Sequence, residues 1–359
     1  MDRLRNVEWL DEPLLEAREC PQLTRWMREE APSVHPNAEY LSDCPWIVRA
    51  DFYLDEPYIH INDIASLIYL TVSRDNSCRF CYGAVRLLMR LGGMSQAEIE
   101  RVERDIETAA TEPRIQLALD FARRVSRSNP PPGAAEKQAL RAVGFDEVGI
   151  MEIAFQAADV IFHNRAYTLT ALPVVEPEIV DDKGVFAELR EHFAGVFAQT
   201  AAPARPEKLR DDLKTGPFSN VVLALDGIQQ ARILRTIIDE AWASPFLPSR
   251  TKALIFAVIA RGLASEPAER EARRLLADEG LAEDRVDEIL AHLSSPELEE
   301  NETRILPYVR ETIWYQAPAV QRRGRELRST LSNGEFLETV GIAALANMIC
   351  RLPLAIDVD

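Results

Sequence analysis

Two stretches far apart in this chain carry the same apolar pattern, and that repetition constrains the fold more than any other feature. Ile64-Ala65-Ser66-Leu67-Ile68-Tyr69-Leu70-Thr71-Val72-Ser73-Arg74 aligns with Thr251-Lys252-Ala253-Leu254-Ile255-Phe256-Ala257-Val258-Ile259-Ala260-Arg261, with Leu67 and Leu254 displaced by 187 residues. At that displacement Ala84 to Met89 fall on Glu271 to Leu276, while Ile150, Ile153, Ala157 and Ile161 fall on Leu337, Val340, Ala344 and Met348. A chain of 359 residues exceeds what one core usually serves, so a repeated unit is the natural solution.

Both copies are punctuated as helices. Ser95-x-x-Glu98 and Ser332-x-x-Glu335 have the spacing of capping boxes, and Gly92-Gly93 and Gly280 follow apolar-periodic runs. Only 15 glycines occur, and the apolar residues are mostly Ala, Leu, Ile and Val among many Glu and Arg, a composition that favours helix. The sequence therefore predicts an all-α protein. Ile64 to Ser73 and Lys252 to Ala260 are nearly continuously apolar, as expected of central helices covered on all sides. The prolines between Pro173 and Pro217 mark a connector at 176–214, with a short helix expected over Phe186 to Phe197. The resulting division is an N-terminal extension at 1–40, a first bundle at 41–175, the linker, and a second bundle at 215–359. The extension matches neither half and is expected to wrap the first bundle or a partner subunit.

The chemistry concentrates in Ser77-Cys78-Arg79-Phe80-Cys81-Tyr82-Gly83. A Cys-x-x-Cys pair at a helix start meets unpaired N–H groups and the positive end of the dipole, which favour thiolate over thiol. Five cysteines in a large chain do not read as an extracellular disulfide framework, and Cys20, Cys44 and Cys350 read as small buried hydrophobes. A structural zinc would need two further ligands, for which only His60 and His163 are at hand; no metal or cofactor is expected.

Ile64 through Cys81 resembles the core of the alkylhydroperoxidase AhpD-like and carboxymuconolactone decarboxylase-like superfamily, over roughly residues 55 to 175, with the second half a degenerate copy. The resemblance implies tandem AhpD-like helical bundles forming an intrachain pseudo-dimer, homo-oligomerisation, and peroxide reduction in which Cys81 attacks and Cys78 resolves. The AhpD branch carries a Glu twelve residues before the first Cys and a His four residues after the second; here Ser66 and Val85 stand there. Another proton donor is then required. Tyr82, Asp75, His60 and His163 are the candidates, with His163 and Tyr82 ranked first. Arg79 and Arg74 are available to stabilise a thiolate. Ser265 and Ala268 replace the cysteines in the second copy, which is expected to be structural.

The expected activity is thiol-dependent reduction of hydroperoxides or disulfides, supported by a thiol reductant such as a dithiol protein. Two alternatives stay open: a lyase of the carboxymuconolactone type using His163 and Arg165 on a small carboxylate, and a non-enzymatic redox-sensitive assembly protein. A net charge of −17 without a long basic run excludes nucleic acid and an anionic membrane surface as expected partners. An early acidic N-terminus and the lack of a charge-free stretch of spanning length predict a cytoplasmic protein. Trp242, Trp314 and Tyr315 read as core or interface anchors, and Glu297 to Glu302 as a solvated acidic face.

Overall fold

The computed structural model describes residue 4 and residues 7–10, 12–29, 35, 37–54, 58–174 and 211–358, and every regular element among them is helical. After α1 (Pro21–Glu29) and α2 (Pro45–Leu54) come α3 (Ala65–Asp75), α4 (Arg79–Leu91), α5 (Gln96–Glu107), α6 (Pro113–Arg127), α7 (Ala134–Ala142) and α8 (Glu147–Leu169). A short turn at 211–214 and α9 (Ser219–Ala224) lead to α10 (Gln230–Ala243), α11 (Ser249–Leu263), α12 (Glu266–Asp278), α13 (Glu283–His292), α14 (Glu300–Glu311), α15 (Ala317–Arg328), α16 (Asn333–Ile349) and α17 (Leu352–Ala355). The connector helix expected over Phe186 to Phe197 and most of the linker lie outside the described residues.

Helix starts in the two parts of the chain keep the displacement of the sequence pattern. Helices α4, α5 and α6 begin at 79, 96 and 113, and α12, α13 and α14 begin at 266, 283 and 300. The turn before α4 has Ser77 at φ 56° and the turn before α12 has Ala264 at φ 54°. In each, an amide N–H closes the turn onto an earlier carbonyl: Cys78 N to Ser73 O at 3.0 Å, and Ser265 N to Ala260 O at 2.9 Å. Capping boxes start α5 at Ser95 and α16 at Ser332, as the spacing predicted.

Two features of the repeat differ from the sequence reading. First, the last long helices are offset by one residue fewer than expected. Glu152 on α8 accepts from Ile59 N and His60 N, and Glu338 on α16 accepts from Phe246 N and Leu247 N, so Glu152 matches Glu338 at a displacement of 186. Both helices are buried around nearly their whole circumference, so an apolar pattern fits any register and cannot detect the shift. Second, α3 is not covered on all sides. Ser66 is exposed and Leu67 and Tyr69 are half-buried, whereas Thr251 through Ala260 on α11 are all buried.

The core is continuous through both halves, with α8 packed along α16 and α2 along α10. Residues of the N-terminal extension reach further than expected, because they touch the second half as well as the first. Leu10 N bonds Gln321, Glu16 N bonds Asn333, and Leu14 N bonds the Thr170 carbonyl, while Trp26 packs against Phe52 and Tyr53. Asn333–Ala355, 23 residues of mean hydropathy 1.3, is long and apolar enough to cross a membrane, and 89% of that window is buried inside the fold.

Candidate functional site

Cys78 is the N-cap of α4, with extended backbone (φ −81°, ψ 96°), and its Sγ accepts the Cys81 N–H at 3.3 Å. The two cysteines form a disulfide, and both are fully buried. The helix start predicted from the motif is therefore present, but sealed from solvent in this state. Because Cys78 Sγ caps α4, the favourable end of the helix acts on Cys78 first.

The turn ahead of Cys78 is held by α8. Asn164 Nδ2 donates to Ser73 Oγ at 3.1 Å, and Arg165 Nη1 donates to Asn76 Oδ1 at 3.1 Å. Asn76 in turn donates to Val72 O and Ser126 Oγ, each at 2.9 Å.

His163 sits in a buried charge network beside this site. Its Nε2 is 2.9 Å from Asp51 Oδ1, and its Nδ1 is 3.1 Å from Asp159 Oδ1. The Nδ1 side also meets the Asp159 carbonyl oxygen at 3.1 Å, so the carboxylate contact there is ionic rather than a full hydrogen bond. Asp51 also accepts from the Tyr167 hydroxyl at 2.5 Å, and its Oδ2 lies 3.3 Å from His35 Nε2. Burial opposes the His163 charge, yet the Asp159 and Asp51 carboxylates outweigh it and hold the imidazole pKa well above its usual value. Burial likewise pushes Asp51 up, and His163 and His35 overcome it, leaving Asp51 well below the ordinary carboxylate range. Asp159 is raised, chiefly by burial, with His163 opposing. The network touches the cysteine motif through rings: Phe80, between the two cysteines, packs at 4.3 Å on Tyr167 and at 6.3 Å on His35.

Tyr82 turns its hydroxyl to Glu103 on α5, at 2.6 Å, and Arg86 Nε lies 3.1 Å from the same carboxylate oxygen. His60 pairs with Asp146 at 3.1 Å, and Asp75 with Arg123 and Arg127, so neither is held at the disulfide by these contacts. Arg74 pairs with Glu107. Asp51, His35 and Glu103 come from other elements by tertiary packing, so periodicity could not have found them, whereas Tyr167, four residues after His163 on α8, is within reach of helical spacing.

His163 and Arg165 do not form the shared cationic pocket that the lyase alternative needs. His163 points to Asp51, whereas Arg165 donates Nε to Thr312 O at 3.3 Å and Nη2 to Ile313 O at 2.9 Å. Residues two apart on a helix face different ways. Trp314, read as a core or interface anchor, is 54% exposed and so not in the core, and its indole N–H is bonded to Arg127 O. Glu302 is buried against Thr251 and Arg250 rather than solvated.

Among the described residues no group of three or more His, Cys, Asp or Glu side chains is placed to hold a metal ion. The chain matches no family model, no curated protein and no solved structure.

Proposed function

We propose that this protein is a dithiol–disulfide oxidoreductase of AhpD-like architecture that reduces hydroperoxides through Cys78 and Cys81. The observation that carries the reading is the Cys78–Cys81 disulfide at the start of α4, with Cys78 Sγ on the Cys81 amide. An N–H donated to sulfur favours thiolate over thiol, which suits Cys78 as the group released when the disulfide is opened.

In the cycle, the Cys81 thiolate attacks the terminal oxygen of ROOH, the O–O bond breaks, and the alkoxide takes a proton to leave as ROH. Cys78 then displaces water from the Cys81 sulfenic acid to form the disulfide. A dithiol reductant supplies two electrons and two protons to reopen it, becoming a disulfide itself. In the place of the family Glu/His relay, the proposed proton source is His163, held charged by Asp51 and Asp159 and packed toward the motif through Tyr167 and Phe80, because the Tyr82 hydroxyl is committed to Glu103.

The matching helix starts, the Ser77 and Ala264 turns and the Glu152/Glu338 contacts support a duplicated bundle closed as an intrachain pseudo-dimer. The second bundle has Ser265 and Ala268 where the cysteines stand, so the site is single per chain. The setting that fits the reading is a cytoplasmic homo-oligomer serviced by a thiol reductant.

The test is mass spectrometry of the reduced protein after one equivalent of an organic hydroperoxide. Stoichiometric Cys78–Cys81 disulfide and alcohol support the reading. Loss of thiols no faster than that of free cysteine overturns it.

A further inference from the structure

The two halves share a turn but not what holds it. In the first half α8 reaches the turn with two polar contacts, Asn164 to Ser73 and Arg165 to Asn76. The corresponding positions of the second half are Cys350 for Asn164, Ala260 for Ser73 and Leu263 for Asn76, all apolar. Yet the second turn keeps its positive φ at Ala264 and its closing Ser265–Ala260 bond. The polar contacts are therefore not what the backbone turn requires. They accompany the cysteines.

The arginine itself is common to both halves. Arg351 stands where Arg165 stands, but it lies just past the end of α16, and its Nη1 bonds back to Asn347 on that helix, at 2.7 Å to Oδ1, rather than the turn. Both arginines cross to the opposite half, Arg165 to the carbonyls of Thr312 and Ile313 and Arg351 to that of Ser126. Arg165 thus spans the second half and the residue two positions before Cys78. Its hydrogen-bond partners are neutral oxygens, no carboxylate among the described residues pairs with it, and a guanidinium stays protonated even when buried.

We propose that Asn76 and Arg165 are positioning residues of the dithiol, through which the second half fixes the Cys78 turn and supplies the positive charge that favours a Cys78 thiolate. This rests on the dithiol reading above. A fixed cation in a poorly solvated interior stabilises a nearby anion far more than it would in water. It favours the reduced state of the pair, as stabilised reduced forms do in oxidising dithiols.

The decisive variant is Asn76→Leu, which installs the side chain that the second half already tolerates at Leu263. The intact protein is equilibrated with glutathione, two molecules of which give their electrons and protons to the disulfide. The reduced form is then alkylated with iodoacetamide across pH 5 to 10, and the modified cysteine is identified by mass spectrometry. In Asn76→Leu the equilibrium constant for reduction is expected to fall about tenfold and the Cys78 alkylation midpoint to rise by about one pH unit. Arg165→Lys, which keeps the charge and loses the fork, holds the midpoint nearer the wild-type value. A midpoint and equilibrium constant within twofold of wild type in Asn76→Leu, or shifted the opposite way, overturn the proposal. Wild-type protein that shows these thiol properties but leaves hydroperoxide unconsumed refutes the peroxidase reading and leaves this inference standing.

Discussion

Arg165 and Arg351 donate to the same oxygen, the Ile313 carbonyl, at 2.9 and 3.0 Å. Two guanidiniums buried side by side repel each other, and what holds them is the set of carbonyls that would otherwise lose their partners. Burial lowers the pKa of both, with Arg165 adding to the effect on Arg351.

Replacing Arg351 by Met leaves the carbonyls of Ser126 and Asn347 short of a donor in a dry interior. The expected loss is about 2–4 kcal/mol, one to two unsatisfied acceptors less the relief of charge repulsion. Urea unfolding measures it, and a loss below about 0.5 kcal/mol would show that the crossing bonds contribute little.

The two matching glutamates should respond unequally to amidation. Glu338 faces Lys252 Nζ at 2.7 Å with both side chains buried, and the ammonium is further held by the carbonyls of Ala241, Trp242 and Ser244. Glu338→Gln leaves that ammonium without its counter-ion and is expected to cost about 3–5 kcal/mol. At the position of Lys252 the first half has Ala65, and burial raises the Glu152 pKa. Glu152→Gln gives up the charge more cheaply, at about 1–2 kcal/mol. Equal losses in thermal or urea unfolding would contradict this asymmetry.

The His163 network predicts a pH dependence of stability with opposite signs at its two ends. His163 has a folded pKa above the unfolded value of 6.5, so its contribution is complete below pH 6.5 and is lost as pH rises through the folded value. Asp51 has a folded pKa below the unfolded 3.8, so its contribution is present above that and lost as pH falls. The stability gap between wild type and His163→Gln should be widest near pH 5.5 and shrink toward pH 9. A gap independent of pH in urea titrations would show that His163 is not held charged.

The reduced cysteines should differ in reactivity. Cys78 Sγ receives the Cys81 N–H at the helix start, so Cys78 should be alkylated at a lower pH than Cys81. With Cys78→Ser, hydroperoxide should leave a trapped sulfenic acid on Cys81, and with Cys81→Ser it should not. Sulfenic acid on Cys78 alone would reverse the assignment of the attacking thiol.

Helix and the cysteine turn are legible in the sequence because each rests on local spacing. Ser95 and Ser332 announce their helices by a Glu three residues on, and Cys78 and Cys81 share a helix start by being three apart. The register of α8 against α16 was not legible, since a helix buried all round carries no polar face to mark its phase. Asp75 and His60 have side chains of suitable chemistry, but packing commits them to surface ion pairs with Arg123 and Asp146.

Propensity, capping and periodicity act over a few residues, so an all-helical chain and one cysteine pair at a helix start could be read without the fold. Tertiary packing added what spacing does not reach: Asp51 and His35 at His163, whose neighbours Asp159 and Tyr167 lie four residues away on α8, Glu103 at Tyr82, and Arg165 tying Asn76 to the far half. The contacts made by packing join residues many positions apart, and burial makes them strong: a charge withdrawn from water must find its partner wherever the chain's packing places one.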